Sequence, residues 1–178
     1  MAAEIHESQR AYNGMIVPHL VYENVEAAVE WLAKNFNFIE LKEYRKVGSD
    51  GMLYHAEMLT AENGSRFLLG PPGGNIAETP LRTLRDSMAL HVYVENVDEH
   101  FERSRKMGVQ IVAPCDRTQI VEKPEMQFYG DLVYWALDCD GHYWTFNQRM
   151  HEIAPQDWKW DRPLKPVPRA PLPYLMEN

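Results

Sequence analysis

The segment at residues 17–35, VPHLVYENVEAAVEWLAKN, returns at residues 89–107 as ALHVYVENVDEHFERSRKM. His19, Glu23, Asn24, Val25, Glu30 and Lys34 recur as His91, Glu95, Asn96, Val97, Glu102 and Lys106, always 72 positions later (19 to 91). No other feature limits the fold as much. A repeat of this period denotes two copies of one supersecondary unit, each with an apolar face that only the other can cover. Function in such a chain tends to lie between the copies.

The elements of each copy follow from local pattern. Met15 to Tyr22 is apolar and β-favouring, and Asn24 stands where a helix N-cap belongs. Val25, Ala28, Val29, Leu32, Ala33 and Phe36 then form one apolar stripe at helical spacing, with Glu26, Glu30 and Lys34 opposite. Strands are expected over Phe38–Tyr44, Met52–Thr60 and Arg66–Leu69, with a turn cluster at Gly48–Gly51 and a hairpin signal at Asn63-Gly64. The second copy repeats this order: strand Met88–Val94, N-cap Asn96, helix Val97–Met107 closed by Gly108, then strands Val109–Ala113, Leu132–Leu137 and His142–Phe146. Pro114–Gln127, polar and carrying two prolines, is expected to be a loop over a cavity mouth.

The expected organisation is a leader at 1–14, a first β-α-β-β-β module at 15–70, a linker at 71–87, a second such module at 88–150 and a Pro/Trp-rich tail at 151–178. The prolines of that tail forbid a helix or a central strand, while its Trp, Leu and Tyr content favours packing along the body or a partner subunit. The fold class is α+β, with the two modules pairing into a curved mixed sheet around a central cleft.

Composition narrows the partners. A formal net charge of −8 with no Lys/Arg run excludes a nucleic-acid surface, and no apolar run reaches the ~20 residues of a membrane span. A cytoplasmic protein is expected, with Cys115 and Cys139 as reduced thiols. Neither a G-x-S-x-G elbow nor a phosphate-cradling loop with Lys-Ser/Thr is present; Gly70–Gly74 lacks that continuation.

Paired modules, an acidic-Asn-Val junction in each and the closing Asp138-Cys139-Asp140-Gly141-His142-Tyr143-Trp144 after Phe128-Tyr129-Gly130-Asp131 together resemble the vicinal oxygen chelate superfamily. That group holds glyoxalases, bleomycin-resistance proteins and extradiol dioxygenases, and the closing segment is similar to the branch named after the phosphonate-operon protein. The resemblance covers about Met15 to Gln148 and implies curved sheets holding a small molecule. It also implies where a divalent metal would be bound, and those positions are Val17, Leu68, Ala89 and Thr145. None is an imidazole or a carboxylate, so the resemblance implies a family member whose metal site is erased. No cofactor is expected, the alternative being a divalent metal at a displaced site.

Two groups of residues remain as candidates. His19 and His91 lie two positions beyond the vacated Val17 and Ala89, on the same strand faces, and imidazoles suit general acid/base roles near neutral pH. Tyr93, Tyr129, Tyr143, Trp144 and Thr145 are the candidate ligand wall, with either Trp144 or the pair Tyr143 and Thr145 facing inward on the last strand. An aromatic wall suits a planar ligand. His55 and Glu57 share a face that is either cleft or solvent; His100 is expected at the sheet edge and His142 in turn packing. The function expected first is binding of an aromatic or hydrophobic metabolite or drug by a homodimer. A metal-independent isomerase, cyclase or lyase using His19 and His91 is the second, and a metal enzyme with a displaced site the third.

Overall fold

The computed structural model describes residues 15–62, 64–73, 77–83, 88–114, 116 and 118–159. The leader, most of the tail and Asn63 therefore lie outside the described residues.

The first module runs β1 (His19–Val21), α1 (Val25–Phe36), β2 (Ile39–Glu40), a 3-10 turn (Lys42–Tyr44), β3 (Lys46–Val47), β4 (Leu53–Leu59) and β5 (Arg66–Gly70). After a short helix α2 (Pro80–Thr83) the second runs β6 (Ala89–Tyr93), α3 (Val97–Lys106), β7 (Gln110–Val112), β8 (Glu125–Met126), β9 (Asp131–Leu137) and β10 (Tyr143–Arg149). The strand orders are β1-β5-β4-β2 and β6-β10-β9-β7, with β3 added to β4 and β8 to β9. In each sheet the first and last long strands are parallel and the remainder antiparallel. This is the two-module α+β architecture expected.

Each long helix, α1 and α3, starts at its asparagine. Asn24 accepts from the Ala27 amide at 3.0 Å and Asn96 from the Glu99 amide at 3.1 Å. The two caps have nearly the same backbone, φ −134° and −137°, so the repeat in sequence is a repeat in geometry. Gly108, at φ +79°, ends α3 as expected, while α1 is ended by Asn37 in the left-handed region. Several segments differ from expectation: β1 is shorter than Met15–Tyr22, β3 is additional, and β10 runs past Phe146 to Arg149. The stretch Phe38–Tyr44 keeps only Ile39–Glu40 as strand, because Tyr44 donates back to the Leu41 carbonyl and tightens into a 3-10 turn. The expected loop Pro114–Gln127 contains β8, which lays Glu125 and Met126 beside Val133 and Leu132.

Both sheets turn one face onto the same core. Leu20, Tyr22, Met58, Phe67 and Leu69 from the first sheet meet Val92, Tyr134, Trp144 and Phe146 from the second, with the stripes of α1 and α3 between them. Phe36 sits at the junction, edge-on to Trp144 at 5.8 Å and to Phe146 at 4.8 Å between centroids.

Polar bonds fix how the modules meet. The last carbonyls of α1, orphaned by helix geometry, accept from side chains of α3: Lys34 from Arg103 at 2.6 Å, Asn35 from Ser104 at 3.5 Å and Phe36 from His100 at 3.3 Å. At the other end Asp138, wholly buried, accepts from Tyr22 Oη at 2.7 Å, Trp144 Nε1 at 2.9 Å and the His142 amide at 2.9 Å. Asp140 accepts from the Glu23 amide at 2.6 Å. The D-x-D-G-H-x-W segment is thus a latch between the modules, and His142 packs in the turn with its Nδ1 3.1 Å from Asp138.

Beyond β10 the amides of Met150 and His151 both donate to the Gly130 carbonyl at 3.0 Å. Trp158 then packs on Phe128 and Tyr129, at 5.9 and 6.0 Å. The rest of the tail, from residue 160, lies outside the described residues.

Candidate functional site

Because strand side chains alternate, the faces turned away from the core belong to the other parity. In the first module this outer face carries His19, Leu68, His55, Glu57 and Arg66; in the second it carries Ala89, His91, Tyr93, Tyr143, Thr145 and Asn147. His19 stands beside Leu68 and His91 beside Thr145, equivalent places in the two sheets. The two histidines do not face each other within one chain, since each points away from the shared core.

The first face is a chain of titratable groups. His55 Nε2 lies 3.2 Å from Glu57 Oε1, and the other carboxylate oxygen of Glu57 is 3.0 Å from Arg66 Nη1. Arg66 in turn covers the Tyr44 ring at 4.6 Å. His19 rests on Gly70, where a Cβ would come within 2.5 Å of its Nε2, so only glycine leaves the ring its place. Partial burial lowers the His19 pKa, and the nearby His55 lowers it further, favouring the neutral imidazole.

The second face is aromatic and partly covered. Val112, Val133, Trp135 and Leu137 form a separate buried cluster against which Tyr129 and Tyr143 pack. Beside it the β6 edge lies bare, with Ala89, His91 and Tyr93 exposed. Between cluster and edge, Thr145 and Asn147 are 1% and 0% exposed. Asn147 Nδ2 donates to the Val92 and Thr145 carbonyls at 3.3 and 2.9 Å, yet Asn147 Oδ1 and Thr145 Oγ1 have no hydrogen-bond partner among the described residues. At the end of the same face Tyr93 Oη donates to the buried Asp131 at 2.7 Å, and Arg149 pairs with Asp131 through Nε. That bond to Asp131 raises the Tyr93 pKa, whereas burial raises that of Tyr129.

Of the candidate ligand wall, Tyr93, Tyr129, Tyr143 and Thr145 lie on this face. Trp144 does not: at 1% exposure its indole is fixed in the inter-module core by Phe36, Phe38, Phe67 and Asp138, so the pair Tyr143 and Thr145 faces outward instead. His100 is tied to Tyr134 Oη at 2.6 Å, and burial lowers its pKa. Burial also pushes the Cys139 thiol up to about 12, which leaves it no nucleophile at neutral pH. Asn147 and Arg149 are not singled out by the sequence, and Asp131 only as the end of the motif Phe128-Tyr129-Gly130-Asp131. Alternation along β10 from Thr145 would have reached Asn147 and Arg149, both beyond the recognised motif.

Comparison with known proteins places this geometry. Residues 15–146 match the profile of the Glyoxalase/Bleomycin resistance protein/Dioxygenase superfamily. The chain belongs to this superfamily. An uncharacterized protein of Mycobacterium tuberculosis (strain ATCC 25618 / H37Rv) is 29% identical over 140 residues, covering 76% of this chain and 75% of its own length. The structure of TioX from Micromonospora sp. ML1 is 26% identical with a TM-score of 0.55, across 79% of this chain and all (100%) of its own. The fosfomycin resistance protein FosX of Listeria monocytogenes, complexed with Mn(II) and sulfate, shares the fold at 18% identity and a TM-score of 0.50, covering 81% and 93%.

Superfamily membership raises the question of a metal, and the side chains at the positions that the resemblance implies can be tested for fit. Val17, Leu68 and Ala89 offer no side-chain donor and Thr145 only a hydroxyl, so these four side chains do not fit a divalent ion. Among the described residues no group of three His, Cys, Asp or Glu side chains is arranged to hold one. No described helix is long and apolar enough to cross a membrane.

Proposed function

We propose that this superfamily member binds a small aromatic molecule on the outer face of its second module, in a cleft that the first module of a second copy completes. One observation carries the proposal: a buried hydroxyl and a buried amide oxygen, Thr145 Oγ1 and Asn147 Oδ1, stand unpartnered beside a wall of Tyr93, Trp135 and Tyr143. Each such atom costs ~1–3 kcal/mol when unsatisfied, a cost that a ligand's polar group removes. Dimerisation is part of the proposal because the two outer faces of one chain cannot meet each other.

The test uses the neutral fluorophore N-phenyl-1-naphthylamine. Ala89 is exposed and small on this face and neighbours Tyr143, so Ala89→Trp places an indole over the aromatic end without disturbing the core. Probe affinity is expected to fall at least about tenfold with the melting temperature unchanged, and light scattering is expected to give a dimer. An unaltered probe affinity refutes the site.

A second reading, a metal-independent isomerase, cyclase or lyase, is favoured by the His19, His55, Glu57 and Arg66 series on the first face. His19→Ala and His91→Ala separate the two: turnover lost with binding retained marks catalysis, a loss of affinity alone marks a binder. Elemental analysis after incubation with Ni, Zn, Mn and Fe decides the third reading, since near-stoichiometric metal abolished by both substitutions would establish a displaced metal centre.

A further inference from the structure

Along β10 the outward positions are Tyr143, Thr145, Asn147 and Arg149: an aromatic ring, a hydroxyl, an amide and a guanidinium in one line. Their neighbours on β6 are Ala89, His91 and Tyr93, and on β9 Leu137, Trp135, Val133 and Asp131. The line thus runs from an aromatic end to a charged end.

The charged end is held rigidly. Asp131 has a side chain with 0% exposure and takes Arg149 Nε on one oxygen and Tyr93 Oη on the other at 2.7 Å. Arg149 Nη2 reaches Tyr93 Oη at 3.5 Å. These bonds use the Nε side of the guanidinium. Its other edge, Nη1 with the remaining Nη2 hydrogen, is not used by these bonds and belongs to a side chain that is 50% exposed. A guanidinium fixed by a buried carboxylate on one edge offers the other as a preorganised fork for a planar anion.

We infer that the ligand of this face is an aromatic anion, a planar ring bearing a carboxylate or sulfonate, with the anionic group on Arg149 and the ring against the aromatic end. Thr145 Oγ1 and Asn147 Oδ1 lie between and take a polar substituent of the ring, Asn147 requiring a donor. In a chain of net charge −8 an anion gains nothing from the general field, so its recognition depends on this one placed cation. The inference rests on the aromatic-binding face proposed above.

A matched pair of probes tests it: 8-anilinonaphthalene-1-sulfonate and N-phenyl-1-naphthylamine, which differ by the sulfonate. Arg149→Gln is expected to weaken the sulfonated probe about tenfold, the scale of a charge-assisted pair, while the neutral probe changes less than about twofold. Arg149→Lys retains part of the preference, because it keeps the charge and loses the fork. If Arg149→Gln unfolds because Asp131 is left without its cation, Asp131→Asn/Arg149→Gln removes both charges and carries the same comparison. Equal effects on both probes, or none on either, overturn the inference while leaving a neutral-probe site blocked by Ala89→Trp intact. Failure of Ala89→Trp to displace either probe takes down the binding face and the inference together.

Discussion

Asp138→Asn is the sharpest test of how the two modules are held. Asp138 is buried, and its two oxygens accept from Tyr22 Oη, Trp144 Nε1, the His142 amide and the Asp140 amide at 2.7, 2.9, 2.9 and 3.1 Å. Asparagine preserves the shape but replaces one oxygen with an NH2. If its oxygen keeps the His142 and Asp140 amides, the new amide confronts Tyr22 and Trp144. Tyr22 can rotate its hydroxyl and accept; the indole N–H can only donate and is left unsatisfied. Losing two bonds to a charged acceptor at ~1.5–3 kcal/mol each, less what Tyr22 recovers, and stranding one buried donor gives a cost of about 3–5 kcal/mol. In a domain of this size that lowers the melting temperature by roughly 6–20 °C. Circular dichroism melts and urea midpoints measure it. Tyr22→Phe alone should cost about 1.5–3 kcal/mol, and the double variant should show at least about 1 kcal/mol of coupling. A loss below 1 kcal/mol for Asp138→Asn, or strict additivity with Tyr22→Phe, would refute the latch.

Two further expectations follow from single positions. Gly130 has φ +94° and a Cβ there would lie 2.1 Å from the His151 carbonyl, so Gly130→Ala should destabilise by more than the ~1–2 kcal/mol of a left-handed residue and free the 150–159 segment, read as faster proteolytic nicking there. His100 has its pKa lowered by burial, with Arg103 lowering it further against the Phe36 carbonyl, so the unfolded chain takes up a proton before the folded one does. Its contribution is therefore complete above the unfolded value of about 6.5 and is lost as pH falls below it; His100→Gln should flatten the fall in melting temperature between about pH 7 and 5, and an unchanged slope would refute this.

The fold was legible because its signals are local and stated twice. Asn24 and Asn96 each cap the helix that follows, and the apolar stripes of both helices face the core that their spacing implied. The D-x-D-G-H-x-W segment was legible only as a resemblance. Its physical role depends on Tyr22, 116 residues away from Asp138, and pairing across that distance leaves no local pattern. The strand parity at Trp144 was open for a related reason. Alternation tells which residues share a face, but whether that face is core or outside is decided by contact with Phe36 and Phe67 from the other module. Arg149 was missed because it follows the motif, although it belongs to the same outward line as Thr145.

The two faces differ although the modules repeat one another. The equivalent positions beside the paired histidines hold Leu68 in one module and Thr145 in the other, and the rings that crowd the second face have no counterpart to the His55, Glu57 and Arg66 series of the first. Two faces of one chain that point away from each other cannot act on one molecule. In the dimer proposed here a two-fold axis applies the first face of each copy to the second face of the other, giving two equivalent clefts with a titratable wall and an aromatic wall. The same symmetry requires both clefts to be built or neither. A variant that blocks dimerisation without touching β10 should therefore abolish probe binding completely rather than by half, and a monomer that still binds with full affinity would show that the second module suffices alone.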